Sequence, residues 1–420
     1  AFAAAAMARM ERIPTAVAAT FLLTTFSEAF RYSFPDDEAL VSVLLFASLV
    51  AVLLLQGRSA GRAETGQAVT WSAVEEQRPV PRVLATIAAV RAVRWGLAAF
   101  GLLLLGVLPF IVPVRFVEQA SVLCLAGIVT ISIVVLTGWG GQVSLGQWGF
   151  AAVGATVGGA LTATLGVPFW IAVPLAAVVT GGVAVAVGIP ALRIPGLFLL
   201  PVTFAFAVAA QFTLFSDRYF GWLRPDKTVE RPTLFFLDFR DGTSMYFLCL
   251  ACLVLTIVLV GNLRRSRTGR ILIALRENDA NVQAFGVNVV RTKLLAFAIS
   301  GALSGFAGAV FAHQQQGISF ASYSPQRSVN AFIEAVFGGV GSVAGALLGA
   351  GFYIVTNYLS LSPVLRLVTD RGLPILLIFA APAGIISLVN AARDSVLRVI
   401  AQRRQLIVPS LFADVDPDAL

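Results

Sequence analysis

The sequence holds few charged residues and almost none of the residues that build disulfide or metal sites. Charged residues make up 12% of its 420 positions, whereas a soluble globular chain carries roughly 25%. There is one histidine, His313, and the three cysteines lie within apolar runs as Cys124, Cys249 and Cys252. A disulfide framework and a histidine-based metal cluster are therefore excluded, and we expect no metal site.

The sequence also lacks the common motifs of nucleotide hydrolysis and of hydrolytic catalysis. It contains no GxxxxGK[ST] phosphate loop, no HExxH and no GxSxG. Without the phosphate loop, the chain has no backbone cradle of that type for ATP. We therefore expect a chain that is not an enzyme and that binds no cofactor itself.

Long apolar runs dominate what is present. Hydrophobic residues are 58% of the chain and the mean hydropathy is +0.87. A single soluble core stops growing near ~250–300 residues, whereas a bilayer accepts helices of ~20 mainly apolar residues. The pattern therefore predicts an all-α, polytopic transmembrane helical bundle in the cytoplasmic membrane. Ten segments are strong candidates for spans: Val41–Leu55, Trp95–Val114, Val117–Thr137, Gln147–Leu165, Pro168–Gly188, Leu197–Phe215, Met245–Gly261, Leu294–Ala312, Val343–Leu361 and Gly372–Asn390. Two weaker ones are Ile13–Phe30 and Ser328–Val340.

Positive charge is placed between the apolar runs. A net charge of +8 is also typical of nucleic-acid-binding proteins, but here the basic residues do not follow one face. Basic segments between spans are instead cytoplasmic in membrane proteins, so we expect a lipid bilayer and no nucleic acid as the surroundings. The linker 58–94, the loop 262–293 and the tail 393–420 are predicted to be cytoplasmic. Two segments on the same side of the membrane are separated by an even number of spans. Between the loop 262–293 and the tail, this requires Ser328–Val340 to cross or nearly cross. Between the linker and the loop, it places Ser216–Ser244 outside.

A glycine-rich stretch, GWGGQVSLGQWG at Gly138–Gly149, interrupts the apolar pattern. Gln142, Ser144 and Gln147 lie among its glycines. Irregular backbone at membrane depth is tolerated where it is buried in protein or lines a water-filled cavity. We predict a discontinuous helix whose three polar side chains line the solute pathway; the alternative is an ordinary turn between two spans.

One carboxylate, Glu334, falls inside the short, weaker segment. A charge within a span is costly and usually faces the protein interior or water, so Glu334 is also assigned to the solute pathway. Arg327 lies seven residues earlier, two turns away on the same helical face. The sequence predicts pairing with Arg327, or with Asn330 as the alternative.

The basic loop 262–293 contains a helix-compatible stretch, Ile271–Phe285, and Gly286 is a natural helix end. A short amphipathic helix on this face lies on lipid headgroups or docks into a groove of a partner. The polar residues Glu277, Asn278 and Asp279 argue against plain lipid binding.

Four stretches resemble the permeases of branched-chain amino-acid ABC importers. They are GWGGQVSLGQWGF, LRIPGLFLLPVTFAFA, RTGRILIALRENDANVQAFGVNVVRTKLLAFAISGALSGFAGAVFAH and FGGVGSVAGALLGA, in that order across about Val117–Asn390. The resemblance implies an importer core of about ten helices within residues 95–392, moving branched-chain or other hydrophobic amino acids. Urea and short-amide importers share these motifs, so the solute class stays open.

The resemblance also implies partner proteins. Separate ATPase subunits would hydrolyse ATP, a second permease subunit or fused permease half would complete the pathway, and an extracytoplasmic solute-binding protein would deliver the solute. Residues 1–57, with two apolar segments, are similar to the closing helices of such a partner permease. We therefore expect a fragment of a longer polypeptide, although the basic and then apolar stretch Arg9–Phe30 also fits a signal peptide.

An importer without its own nucleotide site must receive force through a cytoplasmic contact, and the loop helix has the length to provide it. Arg276, Glu277 and Asn278 are expected to set the docking angle, while the apolar end of the helix fills a groove on the ATPase. The predicted coupling residues are Arg276, Glu277, Asn278, Ala284, Phe285 and Gly286.

Two rival functions remain open. An ion-coupled secondary transporter would work without ATPase subunits and would need more intramembrane carboxylates than Glu334. A membrane-embedded enzyme would need clustered nucleophiles, acids or metal ligands, and the sequence shows no such cluster.

Overall fold

The computed structural model describes residues 13–35, 37–55, 87–192, 199–221, 228–234, 237–358, 372, 381 and 383–403. Most of these residues are helical, so the predicted all-α class is confirmed. Two short strands, Thr233–Leu234 and Leu237–Asp238, pair antiparallel in the segment predicted to lie outside the membrane.

Fifteen α-helices run through the described residues, and the described part of each predicted span lies mainly within one of them. Residues 373–380 and 382 of the predicted span Gly372–Asn390 lie outside the described residues. The helices are α1 (Ile13–Ser33), α2 (Glu38–Leu55), α3 (Ala88–Ile111), α4 (Val114–Ile133), α5 (Gln147–Ala163), α6 (Phe169–Ala191), α7 (Leu199–Leu214), α8 (Asp217–Phe220), α9 (Gly242–Arg265), α10 (Arg267–Glu277), α11 (Asp279–Ala284), α12 (Val289–Gln314), α13 (Pro325–Gly338), α14 (Val343–Tyr358) and α15 (Ile385–Arg403).

Several helices match the thickness of a bilayer. Within the described residues, five are long and apolar enough to cross alone: Ile13–Ser33, Val114–Trp139, Phe169–Ala191, Gly242–Arg265 and Val289–Gln314. A sixth span is formed if α13 and α14 cross as one bent unit. The chain is therefore a multi-pass membrane protein, and the figure of about ten spans in the core stays a prediction.

Helix α12 packs against α5 and α6 at backbone contact distance, because small residues face each other. A Cβ atom added to Gly154 would lie 2.1 Å from the Gly305 carbonyl oxygen, and one added to Gly308 would lie 1.9 Å from that of Ala151. Such close approach is what small residues permit between membrane helices. Helix α4 packs against α9, α12 and α14, and most of it is buried.

Helices α13 and α14 form a sharply bent pair, with 119° between them across the short break. Helix α13 has 14 residues and is about 21 Å long, which is less than the ~30 Å hydrocarbon core. A Cβ atom on Gly338 would lie 1.9 Å from the Gly345 carbonyl oxygen, so the two arms touch. The predicted span Ser328–Val340 is therefore the first arm of a bent pair and is too short to cross alone.

The N-terminal helix pair meets the rest of the protein through α2 and the turn before it. Phe46 of α2 meets Phe206 of α7 edge to face at 6.2 Å between ring centroids. At the turn between α1 and α2, the buried Asp37 carboxylate accepts a hydrogen bond from Tyr219 at 2.8 Å and pairs with Arg218 at 3.0 Å. The bond to Asp37 raises the pKa of Tyr219 above its usual value. The assignment of residues 1–57 to a partner permease stays a prediction.

Candidate functional site

The glycine-rich stretch is a real interruption of helix geometry, as predicted. Helix α4 widens into a π-helix over Val134–Trp139, and regular helix resumes at Gln147. Gly141 has φ +66°, a left-handed conformation that glycine adopts without cost from a Cβ atom. The Thr137 hydroxyl donates to the backbone oxygen of Gln142 at 3.0 Å and holds the connection against the end of α4.

Two of the predicted pathway residues make local bonds inside this interruption. The Gln142 side chain is half-buried, and its Nε2 donates to the Gly140 carbonyl at 3.3 Å. The Ser144 side chain is fully buried, and its Oγ accepts from the backbone N–H of Gly146 at 3.2 Å. These bonds stabilise the shape of the connection, and the role of both residues toward a solute stays a prediction.

The third predicted pathway residue, Gln147, lies at the centre of a buried polar cluster. Its Oε1 accepts hydrogen bonds from Ser304 at 2.7 Å and Ser132 at 3.0 Å, and Ser300 lies at 3.4 Å. Its Nε2 is buried and has no hydrogen-bond partner among the described residues. An unpaired buried donor costs about 1–3 kcal/mol, so the cluster favours an added acceptor at this point.

Sequence reasoning missed the three serines of this cluster. Ser300 and Ser304 lie four residues apart in the predicted span Leu294–Ala312, and this spacing puts both hydroxyls on one face. That spacing was the available signal. Ser132 comes from α4, so the convergence depends on the tertiary packing of α4, α5 and α12.

Glu334 is buried in α13, with 6% of its surface exposed. Thr130 of α4 lies beside its carboxylate, and the Thr130 hydroxyl donates to the Ala126 carbonyl at 2.9 Å. Arg327 does not bond to Glu334 and acts on it only as a more distant charge. The Arg327 guanidinium instead lies over the Trp148 ring, 4.9 Å from its centroid, and donates to the Ser322 carbonyl at 3.0 Å. The predicted direct ion pair with Arg327 is wrong, because the aromatic face holds the guanidinium. The other predicted partner, Asn330, accepts from Gln326 at 3.4 Å.

An aromatic cluster connects the start of α5 to α13. The Trp148 ring meets Phe311 at 5.8 Å and Tyr323 at 6.2 Å between centroids. The backbone N–H of Trp148 donates to the Ser328 hydroxyl at 3.0 Å. The residue after Gln147 is thereby bonded to the helix that carries Glu334, so the two buried polar positions belong to one packed unit.

The loop 262–293, which is predicted to be cytoplasmic, contains two helices, α10 and α11, separated at Asn278. Asn278 has an extended backbone (φ −156°, ψ 103°), and its side chain accepts from the N–H of Asn281 at 3.0 Å. Asparagine favours such caps over helix interiors, so the prediction of one continuous helix over Ile271–Phe285 is wrong. The predicted end at Gly286 is confirmed, with φ +77° in the left-handed region.

The predicted coupling residues divide into outward and inward groups. Phe285 is 87% exposed, Ala284 and Gly286 beside it are also exposed, and the Glu277 side chain is 55% exposed. The Arg276 side chain is only 13% exposed and donates to the Gly138 carbonyl at 2.7 Å. Four of the six predicted residues are thus free to meet a partner, Asn278 acts as a cap, and Arg276 points inward.

The segment predicted to be external is held to the membrane helices by a buried arginine. Arg231 donates to the carbonyl oxygens of Arg240 at 3.0 Å and Gln314 at 3.1 Å, and it pairs with Glu118 at 3.3 Å. These bonds fix the strand pair over the ends of α4 and α12. The described strand pair therefore lies next to the helix ends.

Comparison with known proteins decides the family. Residues 115–382 match the family described as branched-chain amino acid transport system / permease component. The chain belongs to this family. The match contains the interruption, the Gln147 cluster, helices α10 and α11 and the bent pair.

Individual relatives are similar to parts of this permease. The high-affinity branched-chain amino acid transport system permease protein LivM of Escherichia coli (strain K12) is 30% identical over 275 residues, which are 60% of this chain and 65% of the relative. LivH of the same system in Salmonella typhimurium is 30% identical over 195 residues, 42% of this chain and 62% of the relative. The autoinducer 2 import system permease protein LsrC of Enterobacter sp. (strain 638) is 40% identical over 107 residues, 24% of this chain and 31% of the relative. No solved structure gives a significant match.

Proposed function

We propose that this permease is a subunit of an ATP-binding-cassette importer that moves branched-chain or other hydrophobic amino acids across the cytoplasmic membrane. The observation that carries the proposal is the family match over residues 115–382. The matched region contains an interrupted membrane helix and the partly exposed helix pair of the loop 262–293. The similarity to LivM supports the choice of solute class.

The buried polar groups suit the two charged ends of an amino acid. An amino-acid zwitterion that leaves water needs hydrogen-bond partners for its carboxylate and its ammonium group. The Gln147 Nε2 donor is unpaired among the described residues, and Glu334 supplies a carboxylate on a neighbouring element. Trp148, Phe311 and Tyr323 add apolar surface for a hydrophobic side chain. In this proposal Gln147 and Glu334 bind solute during passage, and Gln142 and Ser144 keep the interruption in shape.

The energy would come from separate ATPase subunits, because the chain has no phosphate loop. ATP would be bound and hydrolysed by those subunits. The exposed Phe285 and Ala284 would enter a groove on the ATPase, and Glu277 would contact its rim. Interfaces of this kind depend on a few buried aromatic anchors surrounded by polar residues.

Further partners are proposed on the opposite face and within the membrane. An extracytoplasmic solute-binding protein would dock on the segment fixed by Arg231. A second permease subunit, or a fused permease half, would complete the pathway. The similarity to LivM and LivH, each named as a permease protein of one transport system, supports a pair of permeases.

The test is reconstitution into liposomes of the permease with its second permease, ATPase subunits and solute-binding protein. We expect leucine uptake that requires ATP on the ATPase side and continues without an ion gradient. Uptake of urea but not leucine would instead assign the complex to short amides. Leucine uptake driven by an ion gradient without ATPase subunits would show a secondary transporter and would refute the proposal.

A further inference from the structure

Arg276 joins the cytoplasmic helices to the interruption in the membrane. It lies at the end of α10, one residue before the exposed Glu277, yet its side chain turns inward. Its Nη1 donates to the Gly138 carbonyl at 2.7 Å, while Nη2 meets the Glu277 carboxylate at 3.0 Å. A Cβ atom on Gly141 would lie 3.1 Å from the Arg276 Cγ. One side chain thus contacts both the exposed edge of the loop and the core of the interruption.

The other side of the interruption touches the turn between α13 and α14. A Cβ atom on Gly138 would lie 2.0 Å from the Val340 carbonyl oxygen, so the two backbones are in direct contact. The Trp139 indole donates to the Gly341 carbonyl at 3.3 Å. Residues 138–139 therefore lie between Arg276 and the bent pair, and the end of α13 is one helical turn from Glu334.

The chemistry of the Arg276 contact suits the transmission of movement. The Gly138 carbonyl is at the end of a helical segment, where unpaired carbonyl groups carry partial negative charge and attract cations. A charge-assisted bond at a largely buried position is stronger and more directional than a neutral one. The aliphatic stem of the arginine packs on Gly141, so the side chain has little freedom to absorb displacement.

We propose that Arg276 is a positioning residue that carries movement of the ATPase-facing helices to the interruption and onward to the bent pair that bears Glu334. The proposal rests on the proposed role of the loop as the ATPase contact. It differs from that role, since Arg276 would not touch the ATPase. The loop would meet the ATPase through Phe285 and Glu277, and Arg276 would act behind that surface.

The experiment compares Arg276→Met, Arg276→Lys and the control Arg270→Met in the complete importer. Met keeps an apolar stem without a donor, and Lys keeps one charged donor. Arg270 lies on the same helix but is exposed and bonds only to the Arg265 carbonyl in the described contacts. Three quantities are measured: the ATPase subunits that co-purify, the rate of leucine uptake, and the stimulation of ATP hydrolysis by loaded binding protein.

For Arg276→Met we expect wild-type amounts of bound ATPase, with uptake and stimulation of hydrolysis each lowered about tenfold, a typical size for a lost coupling between sites. Arg276→Lys should lie between Met and wild type, and Arg270→Met should match wild type. If Arg276 were only a structural anchor, Arg276→Met would lower the amount of folded complex. The complex that does fold would then show the same stimulation of ATP hydrolysis by loaded binding protein as wild type, and that result would overturn the proposal.

Two other outcomes have distinct meanings. Loss of the ATPase from Arg276→Met would show that Arg276 docks directly, and it would refute the transmission role while keeping the loop as the contact. Retention of the ATPase by Phe285→Ala, measured in parallel, would refute the loop as the contact itself. If Arg276→Met yields no folded complex, the test rests on Arg276→Lys. Wild-type stimulation of ATP hydrolysis in that variant would refute the role of the directional arginine contact.

Discussion

The hydroxyl of Ser304 donates a hydrogen bond to Oε1 of Gln147 at 2.7 Å, joining the helix after the interruption to α12. Ser132 of α4 lies 3.0 Å from the amide oxygen of Gln147 and 2.8 Å from the Ser304 hydroxyl, and its single hydroxyl hydrogen serves one acceptor at a time. The amide oxygen of Gln147 therefore faces the serine cluster. Its Nε2 donor, which is unpaired among the described residues, is held in a fixed direction and is suited to a carboxylate oxygen of a passing solute.

Gln147→Leu should lower leucine uptake by about tenfold, since hydrogen bonds to charged groups contribute about 1.5–3 kcal/mol. Leucine fills a similar volume but leaves the buried serine hydroxyls without their shared acceptor, so uptake is expressed per assembled complex. Gln142→Ala and Ser144→Ala should reduce uptake less, because their bonds are local to the interruption. Normal uptake by all three variants would make the interruption an ordinary turn.

Glu334→Gln should abolish most uptake while leaving the helix in place. Glutamine keeps the size of the side chain but cannot ionise, so it cannot offer a carboxylate to an ammonium group. We expect about a tenfold lower rate at saturating loaded binding protein, from the difference between charged and neutral hydrogen bonds. The control is Glu28→Gln, whose carboxylate is exposed and pairs with Arg31. Equal rates for Glu334→Gln and wild type would remove Glu334 from the pathway.

Gly138→Ala should destabilise the permease, because the new Cβ atom would lie 2.0 Å from the Val340 carbonyl oxygen and backbone must shift to admit it. Overpacking of this kind costs about 1–3 kcal/mol. The measurement is thermal unfolding of the purified complex in detergent. Gly182→Ala is the matched control, since no atom lies within 4 Å of its added Cβ. An unchanged midpoint for Gly138→Ala would mean that the interruption and the bent pair are not in firm contact.

Phe285→Ala and Glu277→Arg should weaken ATPase binding without affecting membrane insertion. Truncation of an interface anchor costs on the order of 2 kcal/mol, which is about a thirtyfold loss of affinity. The amount of ATPase that co-purifies reports this directly. Val290→Ala removes another exposed apolar side chain near the loop and should have no effect. Equal ATPase binding by all three variants would exclude this surface.

Cysteine labelling should place Asp279 and Arg240 on opposite sides of the membrane. Both side chains are substantially exposed, and the three native cysteines are buried, so background labelling by an impermeant maleimide should be low. Asp279→Cys is expected to react from the cytoplasmic side and Arg240→Cys from outside, as the positions of basic residues predict. Reaction of both from one side would overturn the predicted topology.

Hydropathy and glycine content were enough to predict the helices and the interruption, because both signals are local. The division of the loop at Asn278 was also encoded locally, by a capping residue inside an otherwise helical pattern. The partners of Gln147 and Arg276 were not predictable in this way. Gln147 and Ser304 are 157 residues apart, and Arg276 and Gly138 are 138 apart. Such contacts depend on how whole helices pack, and a charged residue in a basic loop gives no local sign that it points inward.

The backbone contacts of α12 with α5 leave no layer of side chains between the two helices. At Gly154 and Gly308 any sliding by a fraction of a turn would bring carbonyl groups into overlap, whereas helices separated by long side chains can shift by changing rotamers. In a transport cycle these helices would keep a constant spacing, and distances between labels on them would stay the same in every state. The change of shape would be concentrated at the interruption and at the turn of the bent pair, where the backbone departs from regular helix.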